Sequence, residues 1–219
     1  MTLYPALLSD SVRELQQEID SLHGISEIST VQLDIIDGIF TDNSTITAAD
    51  IPLLDFGALQ YDVHLMTVEP LDFLYELIAE CDKTQVRACI AQVEKLSYQA
   101  PFLEEVLQHQ WQAGLSLDLF TPLSAIDDAS WSQMSVLQLM SIEAGVQGSA
   151  FHPRIFEKIV QAQKRLAHLD HLIELIIDGG IHEQQLPQLR QRGITSIAVG
   201  SALWTATDIV AAVNIFLKG

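Results

Sequence analysis

Short apolar runs rich in Val, Ile and Leu alternate along this chain with longer stretches of helical period. The runs fall at about Leu3–Leu8, Thr30–Asp37, Gln60–Leu65, Val86–Val93, Gly114–Leu119, Val136–Ile142, Leu172–Asp178 and Ser196–Val199. Between them lie segments such as "SVRELQQEIDSLHG", "EPLDFLYELIAECDK", "APFLEEVLQHQWQAG", "FHPRIFEKIVQAQKRLAHL" and "QQLPQLRQRG". Gly24, Gly114 and Gly193 stand where helix C-terminal caps are expected. Strands alternating with helices in this way predict an α/β chain folded as a (β/α)8 TIM barrel, with residues 1–219 as one domain. The competing open, doubly wound sheet wants a glycine-rich turn after its first strand, and "PALLSDS" has no glycine there.

A barrel places its active site at the C-terminal ends of the strands, so polar residues at those ends are candidates for chemistry. Residues two apart on a strand share a face. Gln32 and Asp34 therefore point the same way, while Asp37 points the other way or lies in a turn with Gly38. His64 shares a face with Asp62 and Met66, and Gln92 shares one with Glu94. Asp178 ends the apolar run "LIID" and is followed at once by Gly179 and Gly180. A lone aspartate at a strand end is ordinarily a turn former or helix cap, which suits Asp37. Asp34, His64 and Asp178 are different, because three strands would bring them to one barrel mouth. A buried carboxylate is costly unless it is paired or bound to metal. Two of them with an imidazole make a divalent-metal site.

Composition changes the picture in one respect. The 219 residues carry a formal net charge of −18, which repels nucleic acid and anionic membrane. A phosphorylated ligand would need a local cradle of backbone N–H groups instead of a cationic field. Glycines supply one: "IEAGVQGSAF" follows the sixth strand, "DGG" ends the seventh and "VGSA" ends the eighth, where barrels often bind phosphate. With 48% hydrophobic residues the chain is ample for one core, but no apolar run reaches the ~18 residues of a membrane span. The start lacks the basic region of a signal peptide. Cys81 and Cys89 have no CxxC spacing, so a reduced, cytoplasmic protein without structural zinc is expected.

These residues resemble the ribulose-phosphate 3-epimerase family from the first strand to the eighth. "LDIIDGIFTDNSTI" is similar to the family's second-strand block and "DVHLMTVEP" to its third. "AGLSLDLFTPL" resembles the fifth, and "MSIEAGVQGSAF" a degraded phosphate loop. "IIDGGI" and "AVGSALW" resemble the seventh and eighth. By position the resemblance implies metal ligands at Gln32, Asp34, His64 and Asp178, with Asp34 and Asp178 as the acid/base pair. It implies phosphate contacts at Gly145, Gly148, Gly179, Gly180, Gly200 and Ser201, and Met66 and Met140 covering the sugar beside His64. The implied activity is epimerisation of a phosphorylated ketose, most simply D-ribulose 5-phosphate to D-xylulose 5-phosphate, with Zn, Fe, Mn or Co as cofactor. The family's habit of assembling from several barrels implies a possible homo-oligomer.

Four departures from the family pattern stand out. Gln32 stands for a metal-binding histidine, Gln92 for a second histidine, and Ala6 for a serine. Val146-Gln147 replaces an aromatic residue and a glycine in the phosphate loop. A neutral amide oxygen is a harder, usually weaker ligand for a late transition metal than imidazole. The departures support a second expectation, a catalytically impaired sugar-phosphate-binding paralogue or subunit. Related barrels that decarboxylate or run aldol chemistry on sugar phosphates carry a lysine between the second-strand aspartates; Asp34-Ile35-Ile36-Asp37 has none and the first lysine in the chain is Lys83, so a lysine-dependent mechanism at this site is disfavoured.

Overall fold

The computed structural model describes residues 1–81, 85–145 and 149–218. Eight parallel strands close in sequence order: β1 (Thr2–Leu7), β2 (Thr30–Ile36), β3 (Gln60–Met66), β4 (Val86–Gln92), β5 (Gln112–Leu117), β6 (Val136–Met140), β7 (Glu174–Asp178) and β8 (Ser196–Val199). Around them run α1 (Val12–Leu22), α2 (Pro70–Glu80), α3 (Gln99–Gln108), α4 (Ile155–Leu166), α5 (Leu186–Gln191), α6 (Ser201–Trp204) and α7 (Ile209–Lys218). The expected (β/α)8 barrel is the observed one. Residues 82–84, 146–148 and 219 lie outside the described residues, and with them Lys83, Val146, Gln147 and Gly148.

The strand pleat sorts the chain into three apolar regions. One alternation of each strand faces the helices: Val31, Leu33 and Ile35 of β2 pack in the large outer core with Leu15, Ile19 and Leu22 of α1. Those α1 residues recur at helical spacing, and Ser11 caps the helix by accepting from the Glu14 amide at 3.3 Å. The other alternation fills the barrel, where Tyr4, Ala88, Ile90, Val136, Ile176 and Ala198 form a separate inner cluster. A third cluster of Ile36, Met66, Met140, Ile142 and Ala144 closes one side of the mouth.

Gly114 is not a helix cap. It lies inside β5, and a Cβ there would stand 2.8 Å from Ile90 Cγ1, so the glycine makes room for the inner cluster. The left-handed residue after α3 is Gln110 instead, with φ 62°. Gly24 and Gly193, at φ 88° and 72°, do follow helix ends as expected.

At the N-terminal end of the barrel the interior is ionic. β4 pairs Val86 with Tyr61 and Ala88 with Asp62, so Arg87 falls in a register shift that aims it at the interior. Its Nε donates to Asp62 Oδ1 at 2.7 Å, and its other nitrogens reach Asp62 Oδ2 and, at 2.9 Å, Glu174 Oε2. Tyr4 and Ser196 hydroxyls both donate to Glu174 Oε1 at 2.6 Å. Burial resists these charges. For Glu174 the hydrogen bonds from Ser196, Tyr4 and Arg87 outweigh it and hold the carboxyl below its usual range. This plug is where Asp62 belongs, although it shares a strand face with His64. Arg87→Met should therefore destabilise the fold by roughly 3–5 kcal/mol in denaturant unfolding, because it strands a fully buried Asp62. Adding Asp62→Leu should recover part of that loss.

Candidate active site

The opposite end of the barrel holds the carboxylates of Asp34 and Asp178, each only 6% exposed. β2 carries Gln32 and Asp34 inward, β3 carries His64, β6 carries Gln138 and β7 ends on Asp178. Cross-strand register sets Asp34 beside His64, and Met140 beside Asp178. The Asp34, His64 and Asp178 ligand atoms all lie within 4.8 Å of one another. His64 Nδ1 is 3.0 Å from Asp34 Oδ1 and 3.9 Å from Asp178 Oδ2.

The space among these groups is spanned by amides. Gln32 Nε2 donates to Asp34 Oδ1 and to Asp178 Oδ2, both at 2.8 Å. Gln138 Nε2 donates to the same Asp178 oxygen at 2.8 Å and lies 3.2 Å from His64 Nδ1. On the far side of the imidazole, Gln92 is satisfied with its oxygen toward the ring. There it accepts from His64 Nε2 at 3.2 Å and from Ser116 Oγ at 3.1 Å, while its nitrogen donates to Glu94 Oε2 at 2.8 Å. That arrangement fixes the proton on Nε2 and turns Nδ1 toward the carboxylates.

The electrostatics follow from burial. Desolvation first, and the Asp34 charge second, push the Asp178 carboxyl up to about 7 against the opposing pull of His64 and Gln32. For His64, burial works against the imidazolium, yet the Asp34 hydrogen bond and charge carry its proton affinity above the ordinary value.

Above this floor opens a narrow pocket. Asp34, Met66, Met140, Asp178, Gly145, Gly179, Gly180, Gly200 and Ser201 all line it, as does Ala6. Gly180, at φ 59°, lies so close to the β6 connection that a Cβ would meet Phe151 N at 2.5 Å. The end of β7 is pinned by Ser141, whose N–H donates to the Asp178 carbonyl at 2.7 Å and whose hydroxyl reaches the Asp178 and Gly179 carbonyls.

Two neighbours of the site have other duties. Asp37 accepts from the N–H groups of Ile39, Phe40 and Val68, at 2.8, 2.7 and 2.7 Å. It is the turn former that its position before Gly38 suggests, and it ties the β2 and β3 loops together. Glu94 has left the strand face it was expected to share with Gln92. β4 ends at Gln92, and Glu94 sits in the next short turn, accepting from the Asp118 N–H at 2.8 Å.

Sequence reasoning missed Gln138. Its local signal is an amide inside the apolar strand "VLQLM", on the face shared with Met140, without the neighbouring carboxylate that marks Gln32.

Fold and site together define a parallel barrel whose mouth gathers two carboxylates, an imidazole and glycine-rich strand ends. Its relatives narrow that class. The profile of the Ribulose-phosphate 3 epimerase family matches residues 2–204, and the chain belongs to that family. It is 28% identical over 214 residues to ribulose-phosphate 3-epimerase 2 of Cupriavidus necator, covering 94% of this chain and 85% of that protein. It is 27% identical over 209 residues to ribulose-phosphate 3-epimerase of Helicobacter pylori, covering 95% and 93%. Among solved structures it superposes on a mutant tryptophan synthase alpha-subunit from Pyrococcus furiosus with a TM-score of 0.71 at 14% identity, covering 100% of this chain and 98% of that one. The likeness to 3-hexulose-6-phosphate synthase from Salmonella typhimurium has a TM-score of 0.68 at 12% identity, covering 99% and 96%. At such identities these structures speak for the fold alone.

The strained carboxylate has a thermodynamic consequence. A carboxyl that titrates near 7 when folded and near 3.8 when unfolded binds more protons in the folded state between those values. Its contribution to stability is therefore fully present below about pH 4 and is lost as pH rises through 7. In chelator, Asp178→Asn should remove that loss and stabilise the protein relative to wild type at pH 8 by on the order of 2 kcal/mol, with little difference at pH 4. Denaturant unfolding at the two pH values measures it.

Proposed function

We propose that this pocket epimerises a ketose phosphate, most simply D-ribulose 5-phosphate to D-xylulose 5-phosphate, with Asp34 and Asp178 exchanging the proton. Membership of the family assigns the chain to the isomerases. The observation that carries the reading is a pair of buried carboxylates, brought from β2 and β7 to the floor of a glycine-walled pocket.

The hydrogen on a carbon beside a ketone is a weak acid, so its removal needs a placed base and stabilisation of the enediolate. Asp34 and Asp178 enter the floor from different strands. One takes the C3 proton from one face of the sugar; the other returns a proton to the opposite face, and the two exchange roles in the reverse direction. A carboxyl that burial pushes up to about 7 both accepts and releases a proton near neutral pH. Met66 and Met140, almost fully buried in the mouth, exclude water over the sugar. The backbone at Gly145, Gly179, Gly180, Gly200 and Ser201 lies close enough to the pocket to hold the phosphate and fix the carbon between the two carboxylates.

The donor set fits a divalent ion such as Zn, Fe, Mn or Co. Asp34 Oδ1, His64 Nδ1 and Asp178 Oδ2 converge, and Gln92 orients the imidazole from behind. Gln32 also has a buried amide oxygen with no partner. Such an ion, when bound, would polarise the ketone and hydroxyl oxygens of the substrate.

A second reading is favoured by a different observation. Gln32 presents its nitrogen, not its oxygen, to both carboxylates, and Ala6 brings no hydroxyl to the pocket wall. A paralogue that binds the sugar phosphate without turning it over would look the same at these positions. Exchange of the substrate C3 hydrogen with deuterated solvent, with each metal supplied, separates the two. The epimerase reading expects exchange in wild type and a loss of at least ~10²-fold in Asp34→Asn and in Asp178→Asn. Calorimetric binding of the sugar phosphate with no exchange for any pentulose or hexulose phosphate would install the second reading instead.

A further inference from the structure

We propose that Gln138 and Gln32 form an amide latch over the cation site, so that a divalent ion binds only by displacing two buried amide nitrogens. The latch rests on the reading of Asp34, His64 and Asp178 as the ligands. Gln138 is then a positioning residue: it holds Asp178 in place and tunes what the site binds.

The geometry is direct. A cation would need lone pairs on Asp34 Oδ1, His64 Nδ1 and Asp178 Oδ2. Gln32 Nε2 sits 2.8 Å from the first and the third. Gln138 Nε2 sits 2.8 Å from the third and 3.2 Å from the second. The two nitrogens thus cover every one of these atoms. Both side chains are fully buried in the barrel, where neither can swing out to solvent.

The chemistry points the same way. An amide N–H pair carries partial positive charge and no lone pair toward its acceptor, so it neutralises part of the carboxylate charge and repels an incoming cation. Each amide could present oxygen instead by turning about its last torsion. Its N–H groups would then occupy the place where Gln32 Oε1 and Gln138 Oε1 now find no partner, and a buried donor without an acceptor is unfavourable. Three hydrogen bonds from two neutral side chains hold the two carboxylates in place.

Cobalt(II) titration, read by the visible absorption of the bound ion, tests this on the full-length protein. Gln138→Leu and Gln138→Met, which spare the ion from breaking one hydrogen bond to a carboxylate, should each bind Co(II) on the order of 10- to 100-fold more tightly than wild type. Met keeps the length and unbranched shape of Gln, beside Met140, so it guards against a misfolded Leu variant. Gln32→His should tighten binding too, and Q32H/Q138L should exceed either single change. Asp178→Asn should abolish binding in every background. If both Gln138 variants bind Co(II) no tighter than wild type, or more weakly, while Asp178→Asn still abolishes binding, the latch is wrong and the ligand assignment stands. If Asp178→Asn leaves binding unchanged everywhere, the ligand assignment fails and the latch falls with it.

Discussion

Two carboxylates share the mouth of this barrel, and among the described residues no cationic side chain stands beside them except what His64 can become. Everything at the mouth answers to that constraint. Asp34 and Asp178 are too buried for water to screen them, and their mutual repulsion combines with desolvation to raise the proton affinity of Asp178. The protein responds with a charged or chargeable imidazole at 3.0 Å and with neutral N–H donors from β2 and β6. An imidazole's positive charge would remove the strain more completely at position 32, but Gln32 supplies only dipoles. A site held by dipoles keeps its negative charge available to a proton, a cation or a polarised substrate.

The two ends of the barrel solve the same problem in opposite ways. At the N-terminal end, Asp62 is fully buried and Arg87 meets it with a two-point fork, with Glu174 completing the network. That plug is finished chemically: tyrosine, serine and guanidinium donors leave its carboxylates no open coordination. At the mouth, the compensating groups have loose ends, namely the Gln32 and Gln138 oxygens. Buried polar atoms are almost always satisfied. Two orphans in one small volume, beside two carboxylates and a histidine, separate an interior built for chemistry from one built for stability.

Much of this was legible along the chain because barrels write their geometry with period two. Asp34, between Leu33 and Ile35, announces a carboxylate facing inward, and Asp178 before two glycines announces a strand end that must turn sharply. Asp37 was separable from Asp34 because one residue of phase puts it off the inner face, and the next residue is a glycine. Other features needed coordinates. Gly114 reads as a cap from its distance after α3, yet it is a strand residue whose missing Cβ makes room for Ile90, a contact from the neighbouring strand that no local pattern encodes. Asp62 has the same face and burial as His64. Only the register shift at Arg87 assigns it to the other end. Gln138 had the pattern of Gln32 but no second polar residue nearby in sequence to mark it.

The glutamines at 32, 92 and 138 acquire a common meaning once they are set around His64. Gln92 receives the Nε2 proton, and so selects which nitrogen faces the carboxylates. Gln138 and Gln32 approach from the carboxylate side. An imidazole at position 92 or 32 could itself gain or lose a proton near neutral pH, and each such event would reset the charge beside Asp34 and Asp178. An amide cannot. Amides at positions 32, 92 and 138 keep the same neutral charge beside His64 and Asp178 at every pH. The site thereby trades ligand strength for a fixed pattern of hydrogen-bond donors around Asp34 and Asp178.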